Sequence, residues 1–324
     1  MNYITSLALF IIFYFQYNIF SNFEEKTNLS SFGYIAYSGF NVGDDIQMVA
    51  ARRFLPSNSV PINRETIAQF THNTKIHTIV NGWFMLTKDM TWPWLEKPPK
   101  KSWPPSCHID PLFISIHLTP DFLPVVFSHK NIAYLKKYAP IGARDEYTLQ
   151  KLRKKRIPSY FSGCLTLTLE SSFPPREEVI YAVDIDKSCL NALKKYTHHK
   201  IIELTHWIPL SKLNEKNYEK RCAYATSLLE KYQKAKCVIT GRLHAALPCL
   251  AFETPVLFIA ESDARFGGLK NLTRHCTQKE FINGDFDFDF DNPSENPKDY
   301  LPIRENLIKT VEKWVLLKSK SVIK

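Results

Sequence analysis

Residues 237–260 read CVITGRLHAALPCLAFETPVLFIA. The stretch parses as a buried strand (CVIT), a glycine turn, an amphipathic helix (HAALPCLAF), a second turn and another buried strand (PVLFIA). That is a β–turn–α–β unit, and Arg242 and His244 fall where the first strand hands over to the helix. Ligands of parallel α/β sheets bind at such carboxyl ends, and helix N-termini attract anions through unpaired N–H groups and the macrodipole. A guanidinium adds a planar fork for carboxylate or phosphate, and an imidazole adds a proton donor near neutral pH. Positions i and i+2 of a helix point about 200° apart. Arg242 and His244 can therefore serve one ligand only if Arg242 precedes the first helical residue and His244 sits in the first turn.

Working outward, the same alternation fills the rest of the second half. A strand (EVIYAVDI) precedes a helix, a strand (IIELTHWI) and a long amphipathic helix (NEKNYEKRCAYATSLLEKYQKAK). Beyond the opening unit lie the irregular loop ESDARFGGL, a DFDFDFD tract at Asp285 to Asp291, and a final helix, YLPIRENLIKTVEKWVLLK. Strict alternation in that tract indicates an edge strand or a loop with one apolar face rather than a metal site. The first half starts with a strand at Phe32 (FGYIAY), the loop SGFNVGDD and a helix over DIQMVAARRFL, for which Asp44 or Asp45 is the natural N-cap. The strand IHTIV closes on Asn81-Gly82. A Trp/Pro segment with tryptophans 83, 92, 94 and 103 follows; its prolines exclude regular helix and its tryptophans favour an ordered functional loop. Next come the strand LFISIHL, ending near His117, a helix (HKNIAYLKKYA), and PIGAR, with Asp145 capping the helix EYTLQKLRKKR. YFSGCLTLTL closes this half, and SSFPPREE has linker composition. Two α/β domains facing each other across a cleft are expected, over 32–174 and 175–324, after an N-terminal segment of 1–31.

A chain of 324 residues with 44% apolar and 23% charged residues is a folded globular protein. Its net charge of +10 includes KLRKKR (Lys151 to Arg156). With no aromatic platform or reader motif beside it, that run reads as the solvated end of a helix, not as a nucleic-acid surface. The seven cysteines show no CxxC pair and no metal spacing, and their odd count in a chain this long argues against a disulfide framework while leaving room for one or two bridges. Tyr3 to Phe20 carries no charge, lacks a basic n-region and a cleavage site, and is nearly long enough to span a bilayer. A single-pass signal anchor is expected, with the catalytic domain lumenal and the cytoplasmic face of a membrane as the alternative.

The motifs NVGDD, NGWF with WPPS, FISIHL, PIGARDEYT, YFSGCLTLTL and TGRLHAALPCLAFETPVLFI occur in an order that resembles the polysaccharide pyruvyl transferase family. The resemblance implies two Rossmann-like domains in a GT-B-like arrangement with the active site in the cleft. It also implies transfer of the enolpyruvyl group of phosphoenolpyruvate to a glycan acceptor as a ketal, with release of phosphate and without a cofactor or metal. Arg242, Leu243 and His244 match the Arg-Leu-His signature expected to hold the donor, and Arg144 matches a second donor-binding arginine. His117 matches a histidine associated with the active site. Asn41, Gly43 and Asp44 match the N-terminal turn of the cleft, which Asn81 joins. One departure is Gly163-Cys164, where many members carry an acidic residue, so a different acceptor is expected.

Ketal formation needs a clamp for a multiply charged donor and a group that gives and takes protons. Arg242 and Arg144 are suited to the first task, and His244 or His117 to the second. Taken alone, His117 in an apolar strand reads as a structural hydrogen-bonded residue, and Arg144 as an ion-pair partner of Asp145 or Glu146. Trp83 and Trp103 are candidates to stack on acceptor sugars. Two other functions fit the same architecture: a nucleotide-sugar glycosyltransferase, and an inactive carbohydrate-binding relative.

Overall fold

The computed structural model describes residues 31–85, 103–207, 217–261 and 263–322. The run from Tyr3 to Phe20, and Trp92 and Trp94, lie outside them. No helix among the described residues is long and apolar enough to cross a membrane.

The first sheet is built from β1 (Phe32–Ala36), β2 (Val60–Asn63), β3 (Ile76–Phe84), β4 (Ile109–Leu118), β5 (Ile141–Ala143) and β6 (Ser159–Phe161). Its order is β2-β1-β3-β4-β5-β6, with every pairing parallel. The second sheet uses β7 (Val179–Val183), β8 (Lys200–Leu204), β9 (Cys237–Thr240), β10 (Val256–Ile259) and β11 (Arg274–Cys276) in the order β11-β10-β9-β7-β8, again parallel. Both sheets therefore follow one pattern, in which the second strand lies outside the first and the third returns to its other side. The strand order reverses between β1 and β3, and between β7 and β9. Crossovers leave opposite faces there, so a crevice opens at the carboxyl ends.

The connecting helices are α1 (Val42–Arg52), α2 (Leu123–Val126), α3 (His129–Lys137), α4 (Glu146–Lys154), α5 (Lys187–Tyr196), α6 (Tyr218–Lys234), α7 (Leu243–Ala251), α8 (Gln278–Asn283) and α9 (Leu301–Val322). Asp145 caps α4 as expected, its side chain accepting from the Thr148 N–H. The cap of α1 is Asn41, not Asp44 or Asp45, because its side chain accepts from the Gly43 N–H. The helix thus starts earlier, and both aspartates face other partners from its first turn. β3 also runs past Asn81-Gly82 to Phe84, continuing beyond a bulge between Val80 and Gly82. The Asp/Phe tract is a loop whose Phe286, Phe288 and Phe290 pack beside the buried Phe281. No cluster of metal-ligating side chains occurs among the described residues, and all seven cysteines are free.

Two features join the halves. α1 packs on α6, with the fully buried Arg221 of α6 bonded to both carboxylate oxygens of Asp45 at 2.8 Å. The last helix, expected to belong to the second domain, crosses back to the first. Trp314 meets Phe32 and His77 edge-on, and Lys318 pairs with Asp110 at 2.6 Å. Gly163 lies under this helix: it has φ +71°, and a Cβ there would come within 2.6 Å of Ile303 Cγ2. Cys164 beside it is fully buried. The Gly163-Cys164 pair is thus packed under α9.

Candidate active site

A solvent-open cavity lies between the carboxyl ends of the two sheets. Asn41, Asp44, Trp83, Arg144, His206, Gly241, Arg242, Leu243, His244, Arg265 and Phe266 line it. Both switch points contribute, Asn41 and Trp83 from the ends of β1 and β3, and Arg242 from the end of β9. The domains touch at this rim. Asn41 forms an antiparallel bridge with Trp207, and the Val42 N–H donates to the His206 carbonyl at 2.9 Å.

Arg242 is the N-cap of α7, with extended backbone (φ −110°, ψ 124°), and α7 begins at Leu243. Arg242 thus precedes the helix and His244 occupies its first turn, the geometry a shared ligand requires. The Arg242 Nε donates to Asp184 at 2.7 Å, and its guanidinium lies 4.7 Å from the Trp207 ring centroid. Burial works against ionisation of Asp184. Hydrogen bonds from Thr205, the His206 N–H and Arg242 nevertheless hold its carboxyl below the usual range. Arg265 repeats the arrangement from the loop after β10: Asp263 pairs with it, and it lies 5.8 Å from the Trp83 ring centroid. Arg144, at the end of β5, is almost wholly buried, and its Nε has no hydrogen-bond partner. An orphaned, buried guanidinium N–H is costly unless a ligand satisfies it.

The Nε2 of His244 is likewise buried and unpartnered. Burial, and then the positive charges of Arg144, His206, Arg265 and Arg242, push this histidine well below its ordinary value. Gly43 makes the approach of the two halves tight. A Cβ there would sit 3.1 Å from the Nδ1 atoms of both His206 and His244, and 3.0 Å from Asn41 Oδ1. Asp44 accepts hydrogen bonds from Gln47 (3.2 Å) and the Trp83 indole (3.3 Å), with Arg64 at 3.5 Å. Burial raises its pKa against the pull of Arg64.

His206 is buried, its Nε2 2.8 Å from the Tyr232 hydroxyl, and burial pushes it down to about 4. This carries a stability consequence. The unfolded histidine takes up a proton near pH 6.5, whereas the folded ring refuses it until about pH 4. The contribution is whole above pH 6.5 and is lost as pH falls toward about 4. At about 1.4 kcal/mol per pH unit the loss is roughly 3 kcal/mol. Melting temperatures between pH 7.5 and 4 should fall, and the His206→Gln variant should show a shallower fall. Equal slopes would remove His206 from the account.

Other expected residues fall elsewhere. His117 does not line the cavity. Its Nδ1 donates to Asp145 at 2.6 Å, and Asp145 lies 3.8 Å from the Arg144 Nε. Burial pushes its pKa down despite Asp145. The residue is a strut behind Arg144, and the histidines lining the cavity are His206 and His244. Asn81 is buried, its amide donating to the Gln47 carbonyl at 3.1 Å and its own carbonyl accepting from Tyr37, so it ties β3 to α1. Trp103 is 4% exposed among Phe84, Phe113 and Phe122, and cannot be an acceptor platform. Trp83 stays in the cavity wall. Asp184, His206 and Arg265 were not singled out from sequence. The signal they share is a polar residue just beyond an apolar strand, as in YAVD, IIELTH and VLFIAESDAR.

The family model described as "Polysaccharide pyruvyl transferase" matches residues 41–263. That span takes in all of the cavity lining except Arg265 and Phe266. No curated protein matches the chain significantly. A solved structure described as "S. aureus MnaA-UDP co-structure" aligns with 89% of this chain and 98% of its own, at 11% identity and a TM-score of 0.43. With the family match covering well over half of its length, the chain belongs to the polysaccharide pyruvyl transferase family and is a transferase acting on polysaccharide.

Proposed function

We propose that the cavity between the sheets takes phosphoenolpyruvate and passes its pyruvyl group to two hydroxyls of a glycan sugar as a ketal. The observation that carries this reading is the convergence of Arg144, Arg242 and Arg265 on one cavity with an unpartnered, buried histidine. A donor bearing both phosphate and carboxylate supplies acceptors for the unpartnered Arg144 Nε and His244 Nε2 and charge-assisted bonds to the other two guanidiniums.

In this mechanism His244 protonates the donor's methylene carbon, which places an oxocarbenium-like centre on the neighbouring carbon. The first acceptor hydroxyl attacks that carbon and returns its proton to His244. The C–O bond to phosphate breaks, the second hydroxyl closes the ring, and its proton leaves with phosphate. One proton thus ends on the new methyl group and one on phosphate. Before the donor arrives, burial and then the surrounding cations keep His244 neutral; the donor's negative charges offset both and favour the protonated ring. The apolar Tyr3 to Phe20 run supports a further proposal, that a single-pass anchor holds this domain at a membrane.

The test is to incubate the full chain with phosphoenolpyruvate and a panel of galactosides while following phosphate. Acceptor-dependent phosphate release is expected. Absence of release with every acceptor, alongside turnover of a nucleotide sugar, would sink the reading.

A further inference from the structure

Trp207 follows β8 on the rim of the cavity and is 55% exposed. The large exposed apolar side chains among the described residues are Phe173, Trp207, Ile282, Leu316 and Leu317. Of these, Trp207 contacts a residue of the cavity lining. An indole left this open to water forgoes burial of much of the largest apolar surface a side chain offers. Yet its position is fixed. The backbone bridges to Asn41 across the domain junction, the N–H donates to Thr205 Oγ1 at 3.0 Å, and Arg242 rests on the ring. Arg242 is itself fastened by Asp184, whose carboxylate also holds the Thr205 hydroxyl and the His206 N–H. One carboxylate therefore sets the arginine that faces the donor and the turn that presents the indole.

We propose that Trp207 is the acceptor platform, on which a hexopyranosyl residue with two free hydroxyls stacks. The proposal rests on the transferase reading of the adjoining cavity. A pyranose turns C–H bonds, made electron-poor by its oxygens, toward one face. The electron-rich face of an indole attracts that patch and removes apolar area of both partners from water. The sugar's hydroxyls stay at the rim of the stack, free to point past Arg242 toward the donor. Arg242 covers one face of the ring, and the Trp207 backbone bridges to Asn41; both partners are in the cavity lining. The platform thus adjoins the cavity through Arg242, so that a sugar stacked on it would lie beside the proposed donor site.

The experiment uses the full chain with phosphoenolpyruvate as donor and p-nitrophenyl β-galactoside as acceptor, comparing Trp207→Phe and Trp207→Ala. The alanine variant should raise the acceptor KM about tenfold, and the phenylalanine variant about threefold or less, with the phosphoenolpyruvate KM within about twofold in both. An unchanged acceptor KM would overturn the platform. So would a rise in the phosphoenolpyruvate KM as large as that for the acceptor, which would mean that Trp207 serves only to hold Arg242. If the parent turns over no phosphoenolpyruvate, the donor reading fails, and saturation-transfer NMR with the galactoside decides on Trp207 separately. Contact seen in the parent and lost in Trp207→Ala supports the platform. Equal contact, or none in the parent, overturns it.

Discussion

His244→Gln is expected to lower kcat by about 10²–10⁴ while leaving the melting temperature close to that of the parent. Glutamine keeps a hydrogen-bonding side chain of similar reach but cannot deliver a proton at neutral pH. The buried Nε2 has no partner within the protein, so no internal bond is lost. The parent's pH profile should carry the signature of the same residue. In the free protein, burial and then the charges of Arg144, His206, Arg265 and Arg242 hold His244 well below its ordinary value. In the proposed mechanism the bound donor's phosphate and carboxylate stand among those arginines and raise it. Because the acid form is the active one, rate falls as pH rises through the relevant pKa. The fall in kcat/KM reports the free protein and the fall in kcat the complex, so the kcat limb should lie at higher pH. Coincident limbs, or activity that rises with pH through this range, would remove His244 as the acid. His117→Gln, whose ring is locked to Asp145, should act through Arg144 and raise the donor KM more than it lowers kcat.

Much of this site was legible because its chemistry sits on local structure. The strand–helix handover at residues 237–260 declares itself by periodicity, and the 200° argument sets the condition for a shared ligand, Arg242 ahead of the helix and His244 in its first turn, which the structure meets. What was not legible depends on tertiary choices. Asn41, Asp44 and Asp45 are all competent caps within a few residues. Asn41 wins because its carboxamide reaches Gly43, while Asp44 and Asp45 find Trp83 and Arg221. β2 and β11 are short edge strands, VPIN and RHC, with too few alternating residues to signal themselves. The tryptophans of the Trp/Pro segment look alike in sequence, yet Trp83 lines the cavity and Trp103 is packed among phenylalanines. Asp184, His206 and Arg242 follow three different strands, and only the β8-β7-β9 order brings those ends side by side. The docking of α9 on the first domain is of the same kind: an amphipathic pattern says that a face is buried, not against what.

The largest effect on stability is expected from Arg221→Met. Arg221 and Asp45 are both fully buried, with Nε and one Nη each donating to a different carboxylate oxygen at 2.8 Å and that Nη also donating to the Gly39 carbonyl at 2.7 Å. Removing the arginine leaves a buried carboxylate without a counter-charge, a loss of about 3–5 kcal/mol. For a chain of this size that lowers the melting temperature by about 6–10 °C. Asp45→Leu in the same background should recover much of the loss, because two apolar groups of similar volume forgo the attraction and the desolvation cost together. A single variant melting within about 1 °C of the parent would show that the pair contributes nothing measurable. The consequence also reaches the cavity. Asp45 is in the first turn of α1, one residue from Asp44 and two from Gly43, where a single Cβ would press on both His206 and His244. A helix released from α6 at that turn shifts one wall of the cavity against the other. Arg221→Met should therefore lower kcat/KM even at temperatures where it remains folded, and the double variant should restore stability more fully than activity, since it rebuilds the packing without the bond that sets the register of α1 against α6.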